Sequence, residues 1–197
     1  MKEVIIATQN IGKAKEFEHI FDQYQIRVKS LRDLKDPIDI IEDGETFEEN
    51  ALIKAKAIAS KYNALVIADD SGLAVDALNG CPGVYSARYA GEDRDDQANI
   101  DKVLSELEGV EAKDRTARFV CALALVTPDG EEYVVRGECE GQILTECRGH
   151  EGFGYDPIFY LPALEKTMAE IPKSEKNVLS HRAEAFKQLQ KVLVDII

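Results

Sequence analysis

The sequence predicts an α/β fold on a mixed sheet, and three features of its pattern say so. In the first half, short apolar, β-branched runs alternate with stretches of helical periodicity. The run at residues 118–126 is apolar on both faces, as in a strand buried at the centre of a sheet. Pro128-Asp129-Gly130 then turns that run into residues 132–140, which makes a late antiparallel hairpin. Helices alternating early and a hairpin late exclude a purely doubly wound parallel sheet.

In chain order, residues 2–7 read as a short buried strand because they are β-branched and nearly all apolar. Gly12-Lys13 opens a helix with Phe17, Ile20, Phe21 and Tyr24 at i, i+3, i+4 and i+7. Residues 26–30 form a second strand, followed by a stretch rich in Asp and Pro that reaches Gly44. Thr46-Phe47-Glu48-Glu49 is a capping box, in which the Thr46 hydroxyl accepts from the Glu49 N–H and the Glu49 side chain reaches back. The helix it starts presents Ala51, Ala55, Ile58, Ala59 and Tyr62 on one face, small enough for close packing on a sheet. Residues 64–68 are a continuous apolar strand that ends abruptly in Asp69-Asp70-Ser71-Gly72. Beyond 73–75 the chain turns through Gly80-Cys81-Pro82-Gly83. Ile100, Val103, Leu104 and Leu107 mark a helix near 95–107. A glycine-punctuated loop at 149–157 precedes a strand at 158–160. The last helix starts at about Ser180 and buries Phe186, Leu189, Leu193 and Ile196.

Composition bounds what such a domain does. With 197 residues, 45% of them hydrophobic, the chain is one domain with two lobes sharing a sheet at most. It needs neither disulfide nor metal to fold. Thirty-seven Asp and Glu against 24 Lys and Arg give net −13, which argues against a nucleic-acid or anionic-membrane binder. A small polyanion such as a nucleotide remains open, because it needs only a few local cations. The longest apolar run, 119–126, is far too short to span a bilayer, and the N-terminus lacks a signal-type apolar region. Cys81, Cys121, Cys139 and Cys147 show no C-x-x-C and no zinc spacing, so they read as free thiols in a reducing compartment. The expected setting is cytoplasmic.

Four segments carry candidate chemistry. Thr8-Gln9-Asn10-Ile11-Gly12-Lys13 lies between a strand and a helix, where free N–H groups and the positive dipole end favour an anion. An ordinary strand-to-helix turn with a solvated lysine fits the same residues, and no Walker A pattern is present. Asp69 and Asp70 follow a strand end, the usual ligand edge of an open α/β sheet. Adjacent carboxylates there repel unless a cation or donors offset them, and a turn-capping role is the plainer alternative. Glu42, Asp43, Glu45, Glu48 and Glu49 cluster upstream, and one of them meeting Asp70 would make an oxygen-rich Mg²⁺ site completed by substrate phosphates. Gly152-Phe153-Gly154-Tyr155-Asp156-Pro157 offers either a stacking face to a base or a core plug. Finally, Ser174 to Arg182 crowds donors, including Lys176, His181 and Arg182, onto the start of the last helix, beyond what the Ser180 N-cap explains.

Taken together and in this order, these motifs resemble the inosine triphosphatase family of nucleoside-triphosphate pyrophosphatases, and within it the bacterial dITP/XTP group. Thr8 to Lys13 is similar to the family's T/S-x-N-x-x-K phosphate loop. Gly44 to Ala51 is similar to its G-x-T-F-x-E-N-A helix start. Ala68 to Leu73, Pro82 to Arg88, Gly152 to Pro157 and Ser180-His181-Arg182 complete the set, covering residues 8 to 182.

The resemblance implies hydrolysis of ITP, dITP and XTP to monophosphate and pyrophosphate by a Mg²⁺-dependent homodimer. Its fold is a long mixed twisted sheet with flanking helices, in two lobes around a central nucleotide cleft. Carried over by residue, Asp70 accepts a proton, and Glu42 and Asp70 hold the metal. Thr8, Gln9, Asn10, Ile11, Gly12, Lys13 and Ser71 hold phosphates. Phe153, Gly154, Tyr155, Asp156, Lys176, His181 and Arg182 hold the nucleoside and base. The alternatives are a pyrophosphatase for pyrimidine or other modified nucleotides, and a nucleotide sensor without turnover.

Overall fold

A computed structural model describes residues 3–8, 11–22, 24–34, 36 and 39–196, except the side chains of 11–13, 16, 19, 20, 194 and 195. Seven strands hydrogen-bond in the order β2-β1-β3-β4-β5-β6-β7. They are β1 (Glu3–Ile6), β2 (Arg27–Ser30), β3 (Val66–Val75), β4 (Thr116–Val126), β5 (Glu132–Ile143), β6 (Phe159–Leu161) and β7 (Lys166–Thr167). The helices are α1 (Ile11–Asp22), α2 (Phe47–Tyr62), α3 (Asp96–Glu106), α4 (Lys173–Leu179) and α5 (His181–Ile196). β1 pairs in parallel with β2 and β3, whereas β5–β6 and β6–β7 are antiparallel, so the sheet is mixed as the patterning predicts.

The chain divides into two compact units. One holds residues 1–70, 122–136 and 188–197; the other holds 71–121 and 137–187. In the first, Val4, Ile6, Phe17, Phe21, Ile58 and Ile67 are buried, along with the α2 alanines Ala51 and Ala55. Small residues on α2 let a helix lie close, which is why that face is alanine-rich. The second unit has its own core around Leu73, Val75, Val103, Leu107, Phe119, Ile158 and Phe159. Here the Phe119 and Phe159 rings lie 4.3 Å apart between centroids.

Local chemistry accounts for the helix starts. At α2 the Glu49 N–H donates to Thr46 Oγ1 at 3.1 Å, and Glu49 Oε2 accepts from the N–H groups of Glu45 and Thr46. The Gly44 N–H donates to Asn50 Oδ1, and a Cβ on Gly44 would fall 2.8 Å from that oxygen. The G-E-T-F-E-E-N segment is therefore a cap that fixes how the chain enters α2. Asp95 caps α3 by accepting from the Ala98 N–H at 2.9 Å, and Ser180 Oγ accepts from the Ala183 N–H at 3.2 Å. Buried Arg115 caps the end of α3, donating to the carbonyls of Leu107, Ile143 and Leu144.

Several sequence expectations are corrected. β3 does not stop at Ala68: it runs on through Asp69-Asp70-Ser71-Gly72 to Val75, with β1 and β4 on either side. Lys54 sets a cation beside the acidic pair and offsets the charge that the strand carries there. Tyr24 lies beyond the end of α1 and is exposed rather than on its apolar face. The crowded donors at 174–179 form a separate helix, α4, led by Pro172. All four cysteines are free; Cys121 is buried, Cys81 and Cys147 are exposed, and burial pushes the Cys139 thiol up to about 11.

Gly137 on β5 admits the backbone of α5. A Cβ there would lie 2.1 Å from Ala185 N and 2.3 Å from His181 O. Both are backbone atoms and cannot yield as a flexible side chain does. Gly137→Ala is expected to cost about 2 kcal/mol of stability, within the range for overpacked sites. An unchanged urea midpoint would show that α5 moves aside without cost.

Candidate active site

The first cluster lies at the junction of α2 with the middle of β3. Lys54, on the second turn of α2, extends its ammonium to 2.9 Å from Glu42 Oε2 and 3.6 Å from Asp70 Oδ1. Its side chain is 13% exposed and that of Asp70 15%. Burial works to lower the Lys54 pKa, but the negative charges of Asp70, Asp69 and Glu42 outweigh it and hold the ammonium above its ordinary value. Lys54 is therefore a firmly charged cation. Strand alternation turns Asp69 and Asp70 to opposite faces, and Asp69 is buried. One aspartate of the pair thus shares a face with Lys54.

The structure brings together two residues far apart in the chain that the resemblance pairs, Glu42 and Asp70. Both pair with the same ammonium, so the loop before Gly44 does deliver a carboxylate to the end of the strand pair. Lys54 itself was missed. Its sequence signal was weak, one of three lysines on an alanine-rich helix, and only the position of Asp70 gives it meaning.

Thr8 directly follows β1; it is buried, and its carbonyl accepts from the Leu31 N–H at 3.4 Å. Gln9 and Asn10 lie outside the described residues. Ile11, Gly12 and Lys13 form the first turn of α1, so the strand-to-helix transition falls where the sequence placed it, while their side chains lie outside the description. Ser71 is half-buried on β3.

The second cluster is built in the other unit. Phe153 lies between Gly152 and Gly154, both with positive φ, and is 47% exposed. The Lys176 ammonium is 5.0 Å and the Arg182 guanidinium 5.4 Å from its ring centroid, within cation–π range. Buried Asp156 pairs with Lys176 and accepts the Phe153 N–H at 2.9 Å. A Cβ on Gly152 would fall 2.0 Å from Asp156 Oδ2, so the turn requires glycine on space as well as on φ. His181 is buried, its ring stacked 5.0 Å from that of Phe119. Tyr155 is also buried: its hydroxyl donates to the Ser86 carbonyl at 2.7 Å, and burial pushes the phenol pKa well up. Phe153, Lys176 and Arg182 therefore converge, whereas the Tyr155 side chain belongs to the core.

The donor set is that of a hard divalent cation: two carboxylates, Glu42 and Asp70, already drawn to one point by a cation. Among the described residues no group of three or more His, Cys, Asp and Glu side chains could hold a metal ion. Mg²⁺ commonly takes only one or two carboxylates and completes its shell with water and substrate phosphates, so a pair fits it.

Comparison with known proteins agrees with this fold. The model of the Ham1 family matches residues 4–192. The dITP/XTP pyrophosphatase of Bacillus subtilis is 58% identical over 193 residues, covering 98% of each chain. The dITP/XTP pyrophosphatase of Bacillus anthracis is 55% identical, covering 97% of this chain and 96% of that one. A solved structure, that of the Staphylococcus aureus Ham1 protein, is 47% identical with a TM-score of 0.92 and covers 100% of both chains. With its whole length matched by sequence and by fold, the chain belongs to the Ham1 family.

Proposed function

We propose that this chain hydrolyses noncanonical purine nucleoside triphosphates, dITP, XTP and ITP, to the monophosphate and pyrophosphate. The observation that carries the reading is the Lys54-centred pair of Glu42 and Asp70, in a chain 58% identical to a dITP/XTP pyrophosphatase. In the reaction a water oxygen attacks the α-phosphorus, and the bond from that phosphorus to the bridging oxygen of pyrophosphate breaks. Asp70 takes the proton of the attacking water. Glu42 and Asp70 would hold Mg²⁺, which when bound lowers the pKa of water and neutralises phosphate charge.

The remaining roles follow from charge. Pyrophosphate leaves with growing negative charge, which the buried Lys54 ammonium, Lys13 and the N–H groups opening α1 stabilise. Thr8 to Lys13 and Ser71 are assigned to the phosphates. Phe153, Gly154, Tyr155, Asp156, Lys176, His181 and Arg182 are assigned to the nucleoside, Tyr155 through its backbone. Lys176 and Arg182 are donors beside the stacking ring, so a C6 oxygen is matched and the C6 amino group of adenine leaves them unpaired. The reading also includes a homodimer in the cytoplasm. The 3-10 turn at Gly83–Arg88 supports an interface, since Tyr85 is 57% exposed with the Arg88 guanidinium 5.3 Å from its ring centroid.

The direct test is pyrophosphate release from ITP, dITP and XTP with Mg²⁺, against ATP and GTP. Asp70→Asn is expected to retain nucleotide binding and lose about 10²–10⁴ in kcat, the range for removing a positioned base. Full turnover in that variant would remove Asp70 from the mechanism. Arg182→Ala should lower kcat/KM for ITP far more than for ATP, and an unchanged ratio would assign discrimination to another group. Light scattering should give twice the chain mass at micromolar concentration; a monomer would count against the dimer.

A further inference from the structure

The segment Gly152-Phe153-Gly154 is conformationally loose by composition, since two glycines flank the ring and each has unusual backbone freedom. An exposed aromatic on such a segment would lose much of its stacking value to the cost of ordering it. Two carboxylates meet its consecutive backbone N–H groups. Asp156 accepts the Phe153 N–H at 2.9 Å. Asp96, 58 residues earlier in sequence, accepts the Gly154 N–H with Oδ2 at 2.8 Å.

Asp96 is the first residue of α3 and carries no capping duty, because Asp95 is the N-cap and accepts the Ala98 N–H. The helix N-terminus favours its negative charge. The helix it begins is rooted in the core of the same unit through Ile100, Val103 and Leu107. The far side of the loop is fixed as well, since the buried Tyr155 hydroxyl donates to Ser86 O. Asp96 therefore ties the loop to α3 at the Phe153–Gly154 peptide, taking its N–H while its carbonyl accepts the Asp156 N–H at 3.3 Å.

We propose that Asp96 is a positioning residue for the nucleoside: it accepts the Gly154 N–H and so holds the Phe153 ring in the orientation that stacks on a base. This rests on the function proposed above, and it adds a residue that touches neither phosphate nor base. The role needs an acceptor oxygen and not specifically a charge, so an amide in its place preserves most of it.

The test compares wild type, Asp96→Ala and Asp96→Asn by calorimetric binding of inosine monophosphate and of inorganic tripolyphosphate, by steady-state kinetics with ITP, and by amide hydrogen exchange across residues 152–156. Asp96→Ala should weaken inosine monophosphate about tenfold, the scale of a charged hydrogen bond, and leave tripolyphosphate within about twofold. KM for ITP should rise by a similar factor while kcat stays within about twofold. Asp96→Asn should fall within about threefold of wild type, and the Gly154 amide should exchange faster only in the alanine variant. The proposal is overturned by unchanged inosine monophosphate affinity, by equal loss of tripolyphosphate, by an asparagine variant as poor as alanine, or by unchanged Gly154 exchange. If wild type neither binds inosine monophosphate nor turns over ITP, the functional reading fails instead, and the exchange result still decides whether Asp96 holds the loop.

Discussion

Asp69 and Asp70 stand side by side in the middle of β3, and the contact that makes this tolerable is the ammonium of Lys54. Without it, three carboxylates would lie close together in a part-buried setting, where like charges are costly. With it, Glu42 is drawn from the loop before α2, and Asp70 acquires a partner without leaving the strand. The same contact explains why α2 needs a well-built N-terminus, since the Thr46–Glu49 box and the Gly44–Asn50 bond set where Lys54 comes to lie.

A second theme is that cations in this acidic chain are paired before any substrate arrives. Lys54 is held by Glu42 and Asp70, and Lys176 by Asp156. A chain of net −13 would otherwise repel a triphosphate. Pairing keeps the cations ordered and in place, at the expense of attraction at long range. On the function proposed above, a divalent cation bound with the nucleotide would relieve this conflict, with Glu42 and Asp70 as the residues that would hold it.

The base-side cluster is built on different physics. Its geometry depends on close approaches that leave no room for a Cβ, at Gly152 against the Asp156 carboxylate and at Gly137 against the backbone of α5. These place the start of α5, with His181 stacked on Phe119 and Arg182 beside Phe153. Asp156 and Asp96 accept the main-chain N–H groups of Phe153 and Gly154, contacts that restrain a loop whose composition favours freedom.

Much of this was legible in the sequence, wherever the determining interaction is local. Hydrophobic period placed α2, α3, α5 and the central strand β4. The Thr46 to Glu49 box and the Asp-Gly turn were readable because each is closed by residues within four positions of one another. The motifs also sufficed to name the family. Tertiary structure alone decided the rest, for reasons of distance and context. No local rule shows that a strand continues through two aspartates, because the offsetting lysine is 16 positions away on a helix. Nothing local in the sequence singles out Lys54 or Asp96; folding set their partners opposite them. That the Tyr155 side chain turns to the core, its hydroxyl on the Ser86 carbonyl, is likewise a matter of tertiary structure. Sequence determined which residue types were present and in what local order; the pairing of charges distant in the chain was decided only when the strands and helices came together.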